Sequence, residues 1–361
     1  MEKIKLGIIG CGGIANCKHL PALSKVQEVE LAAFCDIVVE RAEEANSKYG
    51  NESSKVYTDY RELLADPEIT VVHVLTHNSL HCSITCDALD AGKHVMCEKP
   101  MAISAKEGQL MIDAAKRNDK KLSIGYQCRH RLPYLCLKKK IEEGVLGDIY
   151  YAKATALRRR CVPTWGVFLE KDKQGGGPLI DIGTHALDLT LWLMDNYKPK
   201  YCIGSTFHKL NKLEEKYHGN ACGPWDVNKF DVEDSAFGMI VMENGATIML
   251  ESSWALNMLD TREATTTLCG TMAGADFADG LRINGVRDGE QYVETVDVDA
   301  SGINMYNGLD LSDNEHREAK LWIDSIINDT EPFVLPEQAL CVTKILEGIY
   351  KSAETGEAYY F

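Results

Sequence analysis

The chain has 361 residues, 45% of them hydrophobic and 26% charged, and its formal net charge is −15. That length favours about two domains with a sizeable core, and the lack of a long apolar run argues against a membrane span or a signal peptide. The acidic balance argues against a nucleic-acid partner, and 13 scattered cysteines without a CxxC pair favour reduced thiols in a cytoplasmic protein.

The first third of the chain alternates predicted strands and helices. Apolar segments predict strands at residues 4–10, 29–36, 71–76, 93–98 and 121–127, with helical patterns between them. Such a βαβ series predicts a parallel sheet covered on both faces. Residues 1–125 are therefore expected to form a doubly wound, nucleotide-binding domain.

From residue 126 to residue 361 the pattern changes to that of a second α/β domain. After a predicted helix at 132–147, β-rich segments follow at 148–160, 200–209, 234–256 and 263–271. Strands in succession, joined by turns such as ENG, predict a mainly antiparallel sheet. Two more helices are expected at 316–329 and 336–356.

A GxGxxA pattern directly follows the first predicted strand. Gly10 permits the tight turn, Gly12 lets a pyrophosphate approach the backbone, and Ala15 allows close packing of helix on strand. Asp36 ends the second strand, where a carboxylate would bind ribose hydroxyls and repel a 2′-phosphate, which predicts NAD over NADP. The alternative is a structural turn with Asp36 as a helix N-cap. Pro21 should shorten the first helix.

Polar residues follow the third and fourth predicted strands. The segments 76–78 and 97–100 should lie in the ligand crevice beyond the carboxyl ends of the parallel strands. Lys99 precedes a proline and is biased towards an extended backbone. A lysine at a strand end is more often a surface residue, so its position in the crevice is what favours a functional role.

The segment GGGPLIDIGTHALDL, residues 175–189, carries an acid and a histidine four residues apart. A helix beginning near Pro178 would place Asp181, His185 and Asp188 on one face. Histidine is suited to take the proton of an alcohol as hydride leaves, and a nearby carboxylate can orient it. The alternative is a buried histidine paired with an acid on a structural helix. The spacing lacks the ligands of a metal site, and no GxSxG elbow supports acyl transfer.

In this order, GIIGCGGIA, Asp36, THNSLH, AGKHVMCEKPMA and GGGPLIDIGTHALDLTLWL resemble the glucose-fructose oxidoreductase / inositol dehydrogenase (Gfo/Idh/MocA) family over essentially the whole chain. The resemblance implies an N-terminal Rossmann domain and a C-terminal α/β domain whose open sheet carries substrate and oligomer contacts. It also implies NAD as the cofactor, a sugar, glycoside or cyclitol substrate, and a homodimer or homotetramer.

The resemblance also implies roles for individual residues. Lys99 would position the substrate hydroxyl, His185 would be the general base, and Asp181 would be its partner; Pro100 would follow a cis peptide bond. The usual TPNxxH segment has His77 in place of proline, which leaves its loop path open. The residues implied to bind the cofactor are Gly10, Gly12, Gly13, Ile14, Ala15, Asp36, Thr76, His77, Asn78, His81, Glu98, Lys99 and Gln127.

Substrate contacts are implied on two segments besides Lys99, Asp181 and His185. Arg129 lies in GYQCRHRLP, after the last Rossmann strand. In RRRCVPTWGVF, Arg158 and Arg160 would share one face of a strand, while Trp165 and Phe168 would stack on a pyranose or its aglycone. The alternative for Trp165 is a loop anchor in the core.

The sequence therefore predicts an NAD-dependent dehydrogenase that oxidises a secondary hydroxyl of a sugar, glycoside or cyclitol, with the C3 hydroxyl of a glucoside as one candidate. Two alternatives stay open. One is glycoside cleavage with NAD recycled in place and no net redox change. The other is an NAD-sensing regulatory protein without turnover, against which the presence of both Lys99 and His185 counts.

Overall fold

The computed structural model describes residues 3–298 and 313–361. Contacts divide the chain into two units, one formed by Met1–His130 with Leu309–Leu340 and the other by Arg131–Gly308 with Cys341–Phe361. The first unit thus includes a C-terminal stretch that a division after residue 125 does not assign to it. Within the described ranges, no helix has both the length and the apolar character needed to cross a bilayer.

Ten α-helices occur in the described ranges. In chain order they are α1 (Leu20–Leu23), α2 (Val39–Tyr49), α3 (Tyr60–Leu64), α4 (His81–Asp90), α5 (Ala105–Arg117), α6 (Leu132–Glu142), α7 (Lys171–Gln174), α8 (Thr184–Met194), α9 (Asn314–Ile327) and α10 (Pro336–Thr355). A π-helical turn at Ala15–His19 runs into α1, and another at Leu179–Gly183 runs into α8. Helical residues precede Pro21, because the π-helical turn runs into α1, and α1 ends two residues after it, at Leu23.

The first unit contains a six-stranded parallel sheet in the order β3-β2-β1-β4-β5-β6. Its strands are β1 (Ile4–Ile9), β2 (Val29–Cys35), β3 (Lys55–Tyr57), β4 (Val71–Val74), β5 (His94–Cys97) and β6 (Leu122–Ile124). Five of them are the predicted strands, and β3 is an additional edge strand. The doubly wound fold is confirmed.

Helix α9 completes the core of the first unit, although it lies nearly 200 residues after β6 in the sequence. Its apolar face, including Trp322 and Ile323, belongs to the same buried cluster as Leu6 and Ile8 of β1. Because a parallel sheet must be covered on both faces, this helix contributes to the folding of the nucleotide-binding unit.

The second unit contains a nine-stranded sheet in the order β14-β13-β12-β11-β7-β10-β9-β8-β15. Its strands are β7 (Ile149–Leu157), β8 (Pro199–Phe207), β9 (Ser235–Met242), β10 (Thr247–Ser253), β11 (Thr265–Gly270), β12 (Ala273–Asp276), β13 (Arg282–Arg287), β14 (Glu290–Thr295) and β15 (Tyr359–Tyr360). Only β7 and β10 pair in parallel. The prediction of a large, mainly antiparallel sheet is confirmed.

Candidate active site and cofactor site

The glycine loop after β1 leaves open space at its tip. Gly10 has a φ of +96°, and a Cβ there would lie 2.7 Å from the carbonyl oxygen of Leu75, so only glycine fits. A Cβ on Gly12 or Gly13 would meet no heavy atom within 4 Å. The loop is therefore packed at its base and open at its tip, where backbone N–H groups can meet phosphate oxygens.

A cavity of about 310 Å³ lies beside this loop. The hydroxyl oxygen of Thr76, on its wall, is buried without a partner among the described residues, which suits a site that receives a polar ligand. The residues of this chain therefore fit a dinucleotide. The lining residues are Ile9, Gly10, Gly12, Cys35, Asp36, Ile37, Arg41, Thr58, Tyr60, Leu75, Thr76, His77, Leu80 and Ile84.

Asp36 is fixed by two backbone groups at this cavity. Its Oδ2 accepts a hydrogen bond from the N–H of Cys11 (2.8 Å), and its Oδ1 accepts one from the N–H of Val38 (2.9 Å). Val38 precedes α2 and the helix has no side-chain cap, so the N-cap alternative is not what the structure shows. Each carboxylate oxygen keeps a further lone pair for a ribose hydroxyl.

Two glycine variants should separate folding from cofactor binding. Gly10→Ala forces an alanine to a positive φ against Leu75 and should lower the melting temperature. Gly12→Ala should leave the melting temperature unchanged and weaken NADH binding by at least about tenfold, because its methyl group occupies the space of the phosphates. Thermal unfolding and NADH fluorescence titration check this. A Gly12→Ala protein with full NADH affinity would contradict the placement of the phosphates.

The loop after β4 keeps a proline-compatible path although His77 stands where relatives have proline. His77 has φ −76° and ψ 156°, values that a proline adopts. Its Nδ1 lies 3.1 Å from the hydroxyl of Ser79, and Asn78 is buried. The substitution therefore leaves the backbone of the loop in place.

His81 joins the two predicted cofactor loops. Its Nδ1 lies 2.8 Å from the carbonyl oxygen of Pro100, and its Nε2 lies 3.1 Å from that of Thr76. Burial lowers the pKa of His81, and a neutral ring donates to only one of these carbonyls. The structure thus gives His81 the position of a brace between the loops.

The segment after β5 carries the predicted lysine. The Lys99–Pro100 peptide bond is cis, which confirms the prediction. Lys99 is half-buried at the carboxyl end of β5, and its N–H donates to Oε2 of the buried Glu98 (3.1 Å). The side-chain oxygen of Gln127 lies 3.5 Å from Nζ of Lys18, beneath the same edge of the sheet.

Two other predicted residues of this unit are positioned by the fold. Ala15 is fully buried and Ile14 is half-buried in the turn that follows the glycine loop. Arg129, predicted to contact substrate, is fully buried, and its Nη1 donates to Oε1 of Gln338 at 2.6 Å. That guanidinium has a structural partner within the first unit.

In the second unit, the glycine run 175–177 allows close packing at the start of the predicted helix. A Cβ on Gly176 would lie 2.0 Å from the hydroxyl of Tyr350, and a Cβ on Gly177 would lie 2.2 Å from the carbonyl oxygen of Glu233. The helix then begins after Pro178, as predicted, with a π-helical turn that runs into α8.

Glu233 caps this helix from a distant part of the chain, and the sequence did not identify it. Its carboxylate accepts hydrogen bonds from the N–H of Gly177 (2.8 Å), the N–H of Leu179 (3.1 Å) and the hydroxyl of Tyr350 (2.8 Å). Burial raises the pKa of Glu233, and these three hydrogen bonds oppose the shift. In the sequence Glu233 is one of three acids in FDVEDSAF, residues 230–237, and nothing distinguishes it from Asp231 and Asp234.

Trp254 holds Asp181 and is a second residue that the sequence did not identify. The fully buried indole donates its Nε1–H to Oδ2 of Asp181 at 3.0 Å. Asp181 is half-buried on the π-helical turn, His185 is buried in the first turn of α8, and Asp188 is fully buried one turn later. Trp254 directly follows β10, a position that a single sequence does not mark as functional.

The two arginines of RRRCVPTWGVF do not share a strand face, and that prediction was wrong. Strand β7 ends at Leu157, so both lie in the segment beyond it. Arg158 forms a bidentate pair with Glu263 (2.6 and 2.5 Å), and Arg160 donates to the side-chain oxygen of Asn257 (2.7 Å). The direction of each guanidinium is set by its own hydrogen-bond partner, not by the alternating side-chain directions of a strand. Glu263 holds the pKa of Arg158 above its usual value despite burial, and Asp181 adds to this.

Aromatic rings lead from the surface of this unit to Asp181. Trp165 is 57% exposed, which does not fit a core anchor. It meets Phe168 edge to face at 5.8 Å between ring centroids, and Phe168 meets Trp254 at 6.5 Å. Because Trp254 binds Asp181, the exposed ring is connected to the acid by direct contacts. Among residues 3–298 and 313–361, no three His, Cys, Asp or Glu side chains are grouped to hold a metal.

Comparison with known proteins agrees with these features. A sequence model described as "Oxidoreductase family, NAD-binding Rossmann fold" matches residues 4–126, and the "GFO/IDH/MocA C-terminal domain" matches residues 134–275. D-glucoside 3-dehydrogenase of Escherichia coli K12 is 34% identical over 356 residues, covering 98% of this chain and 96% of that protein.

Two further comparisons extend the range of relatives. Inositol 2-dehydrogenase of Salmonella typhimurium LT2 is 34% identical over 198 residues, which is 54% of this chain and 56% of that protein. A structure of levoglucosan dehydrogenase with NADH and levoglucosan shares the fold, with a TM-score of 0.81, 23% identity and 99% of each chain covered. The chain belongs to the Gfo/Idh/MocA family of NAD-dependent oxidoreductases.

Proposed function

We propose that this protein oxidises a secondary hydroxyl of a glycoside or sugar, with the C3 hydroxyl of a glucoside as the first candidate. The observation that carries the proposal is the similarity to D-glucoside 3-dehydrogenase along 98% of the chain. The similarity to inositol 2-dehydrogenase covers 54%, which makes a cyclitol the second choice.

The family motifs supply the roles in this proposal. When bound, NAD accepts the hydride that leaves the substrate carbon. His185 takes the hydroxyl proton on its imidazole, and Asp181, held by Trp254, orients the imidazole or the substrate. Lys99 supplies a positive charge where the alkoxide develops, and the N–H of Lys99 is fixed by Glu98. The hydride and the proton thus leave the alcohol for separate acceptors, and a ketone remains.

The aromatic segment of the second unit supports a pyranose substrate. Trp165 and Phe168 present ring faces and edges near Asp181, and sugar rings stack on such surfaces through their apolar C–H faces. Arg158 is paired with the carboxylate of Glu263, so it stiffens this wall. Among the described residues, the guanidinium of Arg160 hydrogen-bonds only uncharged oxygens, of Arg159 and Asn257, and is the better candidate for a direct contact with hydroxyls.

Asp36→Asn tests the cofactor preference. The substitution removes the charge but keeps an oxygen that can accept from the backbone, and Arg41 on the same cavity wall can then meet a 2′-phosphate. The ratio of kcat/KM with NADP to that with NAD should rise by at least about tenfold, because a like charge opposite the phosphate is gone. Glu40→Gln, an exposed acid of α2 outside the cavity, is the control. An unchanged ratio would place the 2′-hydroxyl elsewhere.

The substrate is tested by following NADH absorbance with free sugars, inositols and aryl glucosides, and by analysing the products. Steady NADH formation with glucosides supports the proposal, and formation with inositols alone moves it to cyclitols. Aglycone release without NADH would favour cleavage with recycled NAD. Bound NAD with no turnover on any substrate would favour a regulatory protein.

We also propose that the protein is a cytoplasmic homodimer or homotetramer. The proposal of a homo-oligomer rests on the open second sheet, which is covered by helices on one face, and on the family. Size-exclusion chromatography with light scattering measures the mass in solution, and a monomer would contradict the proposal.

A further inference from the structure

Lys18 lies buried between two carboxylates that are distant in the sequence. It follows the glycine loop, it is 6% exposed, and its Nζ lies 2.8 Å from Oε1 of Glu98 and 2.8 Å from Oε2 of Glu318 on α9. Burying three charged groups is costly unless they are paired, and apolar residues of similar size would be no less stable there. The arrangement therefore points to a role beyond stability.

Both carboxylate oxygens of Glu98 have hydrogen-bond partners, and the two oxygens have different ones. Oε1 accepts from Nζ of Lys18 (2.8 Å) and lies 2.7 Å from Nε2 of His19. Oε2 accepts from the N–H of Lys99 (3.1 Å). A chain of contacts therefore runs from α9 through Glu318, Lys18 and Glu98 to the backbone of Lys99.

Contacts with Lys18 and His19 keep the carboxylate of Glu98 ionised. Burial disfavours its carboxylate, but Lys18 and His19 outweigh burial and hold the pKa of Glu98 well below its usual value. On Lys18, the two carboxylates likewise outweigh burial and raise the pKa. Other charged or titratable groups also lie near Lys18 and Glu98: His73, which faces His19, and His81, Cys97, Lys99, His130, Glu315 and Glu318.

We propose that Lys18 and Glu318 are positioning residues for the oxidation: Glu318 holds Lys18 in place, and Lys18 pairs with Glu98 so that Glu98 fixes the backbone of Lys99. Neither residue touches the reacting atoms. The inference rests on the proposed role of Lys99 in the dehydrogenase reaction. The proposal gives α9, which carries none of the family motifs, a role in the site through Glu318.

The test compares four variants with the wild-type enzyme. Lys18→Met removes the shared cation, Lys18→Arg restores it, and Lys18→Met/Glu318→Gln removes the second buried anion as well. The matched control is Lys93→Met, because Lys93 is equally buried and its Nζ donates to the carbonyl oxygen of Asp66 (2.8 Å) instead of a carboxylate.

In Lys18→Met, Glu98 should hold a proton up to a higher pH than in the wild type, since its carboxylate has lost the cation that faced it. Glu98 should then add a second limb to the kcat/KM profile below the one expected from His185: relative to wild type, kcat/KM of Lys18→Met should fall at least about tenfold towards acidic pH and recover as the pH rises. Lys18→Arg should keep the wild-type profile. At acidic pH the double variant should be more active than Lys18→Met, because removing Glu318 relieves repulsion of Glu98.

Thermal unfolding of the cofactor-free protein gives a readout that needs no substrate. If the native Lys18→Met protein binds this extra proton, its melting temperature should fall further below that of wild type as the pH rises from about 4.5. Lys93→Met should show a difference that does not vary with pH. Wild-type inactivity on every substrate would defeat the proposed function while leaving this thermal test in force.

Three results would overturn the inference. They are a pH-independent loss of activity in Lys18→Met, a double variant no more active at acidic pH than Lys18→Met, and a Lys18→Met melting temperature that follows the wild type at every pH. A folded Lys18→Arg enzyme as impaired as Lys18→Met would also contradict it, because the positive charge is then not what holds Glu98.

Discussion

His185→Asn is expected to lower kcat for glycoside oxidation by about 10²- to 10⁴-fold, the usual contribution of a positioned general base. Asparagine keeps a polar side chain of similar size but cannot take a proton, so only proton transfer should be lost. NADH affinity should be unchanged, because the NAD-binding Rossmann domain of the family matches residues 4–126, which belong to the first unit. Initial rates by NADH absorbance and NADH fluorescence titration measure the two quantities.

The matched control is His208→Asn, an exposed histidine of the same unit, which should keep the wild-type rate. The wild-type rate should also rise with pH across the range in which histidines titrate, and that rise should disappear in His185→Asn. If His185→Asn kept a rate within about tenfold of wild type, proton abstraction would belong to another group.

The fold was predictable where each strand carries its own signal. Five strands of the first sheet are apolar runs that end at turns, and their order follows from right-handed βαβ crossovers. Strand β3 was not predictable, because Lys55–Tyr57 has three residues and no apolar run. Strands β12 to β14 are short and partly exposed, so their apolar pattern is weak.

The candidate site was predictable only as far as it is local in sequence. The helix after Pro178 and the cis bond before Pro100 lie within motifs, whereas Glu233 caps that helix from 56 residues away and Trp254 reaches Asp181 across 73 residues. The prediction of a strand through Arg158 and Arg160 was wrong for the same reason: the contacts that decide it are distant in sequence. Glu263 and Asn257 hydrogen-bond these guanidinium groups, and no local sequence pattern predicts such partners.

Glu233→Ala is expected to give the largest loss of stability in the second unit. The substitution leaves three donors without an acceptor, namely the N–H groups of Gly177 and Leu179 and the hydroxyl of Tyr350, in a buried site. Unpaired buried groups of this kind should lower the free energy of unfolding by about 3 kcal/mol or more. The melting temperature should therefore fall by at least about 6 °C. Glu243→Ala, an exposed acid of the turn after β9, is the control.

Glu233→Gln tests whether the charge of Glu233, and not only its shape, affects the melting temperature. Because burial raises the pKa of Glu233 in the native state, the folded protein holds a proton there more tightly than the unfolded chain. The melting temperature of the wild type relative to Glu233→Gln should therefore decrease as the pH rises from about 4.5, and then level off once the native carboxyl is ionised. If Glu233→Ala melts like the wild type, the glycine run and the π-helical turn that leads into α8 are held by something other than this carboxylate.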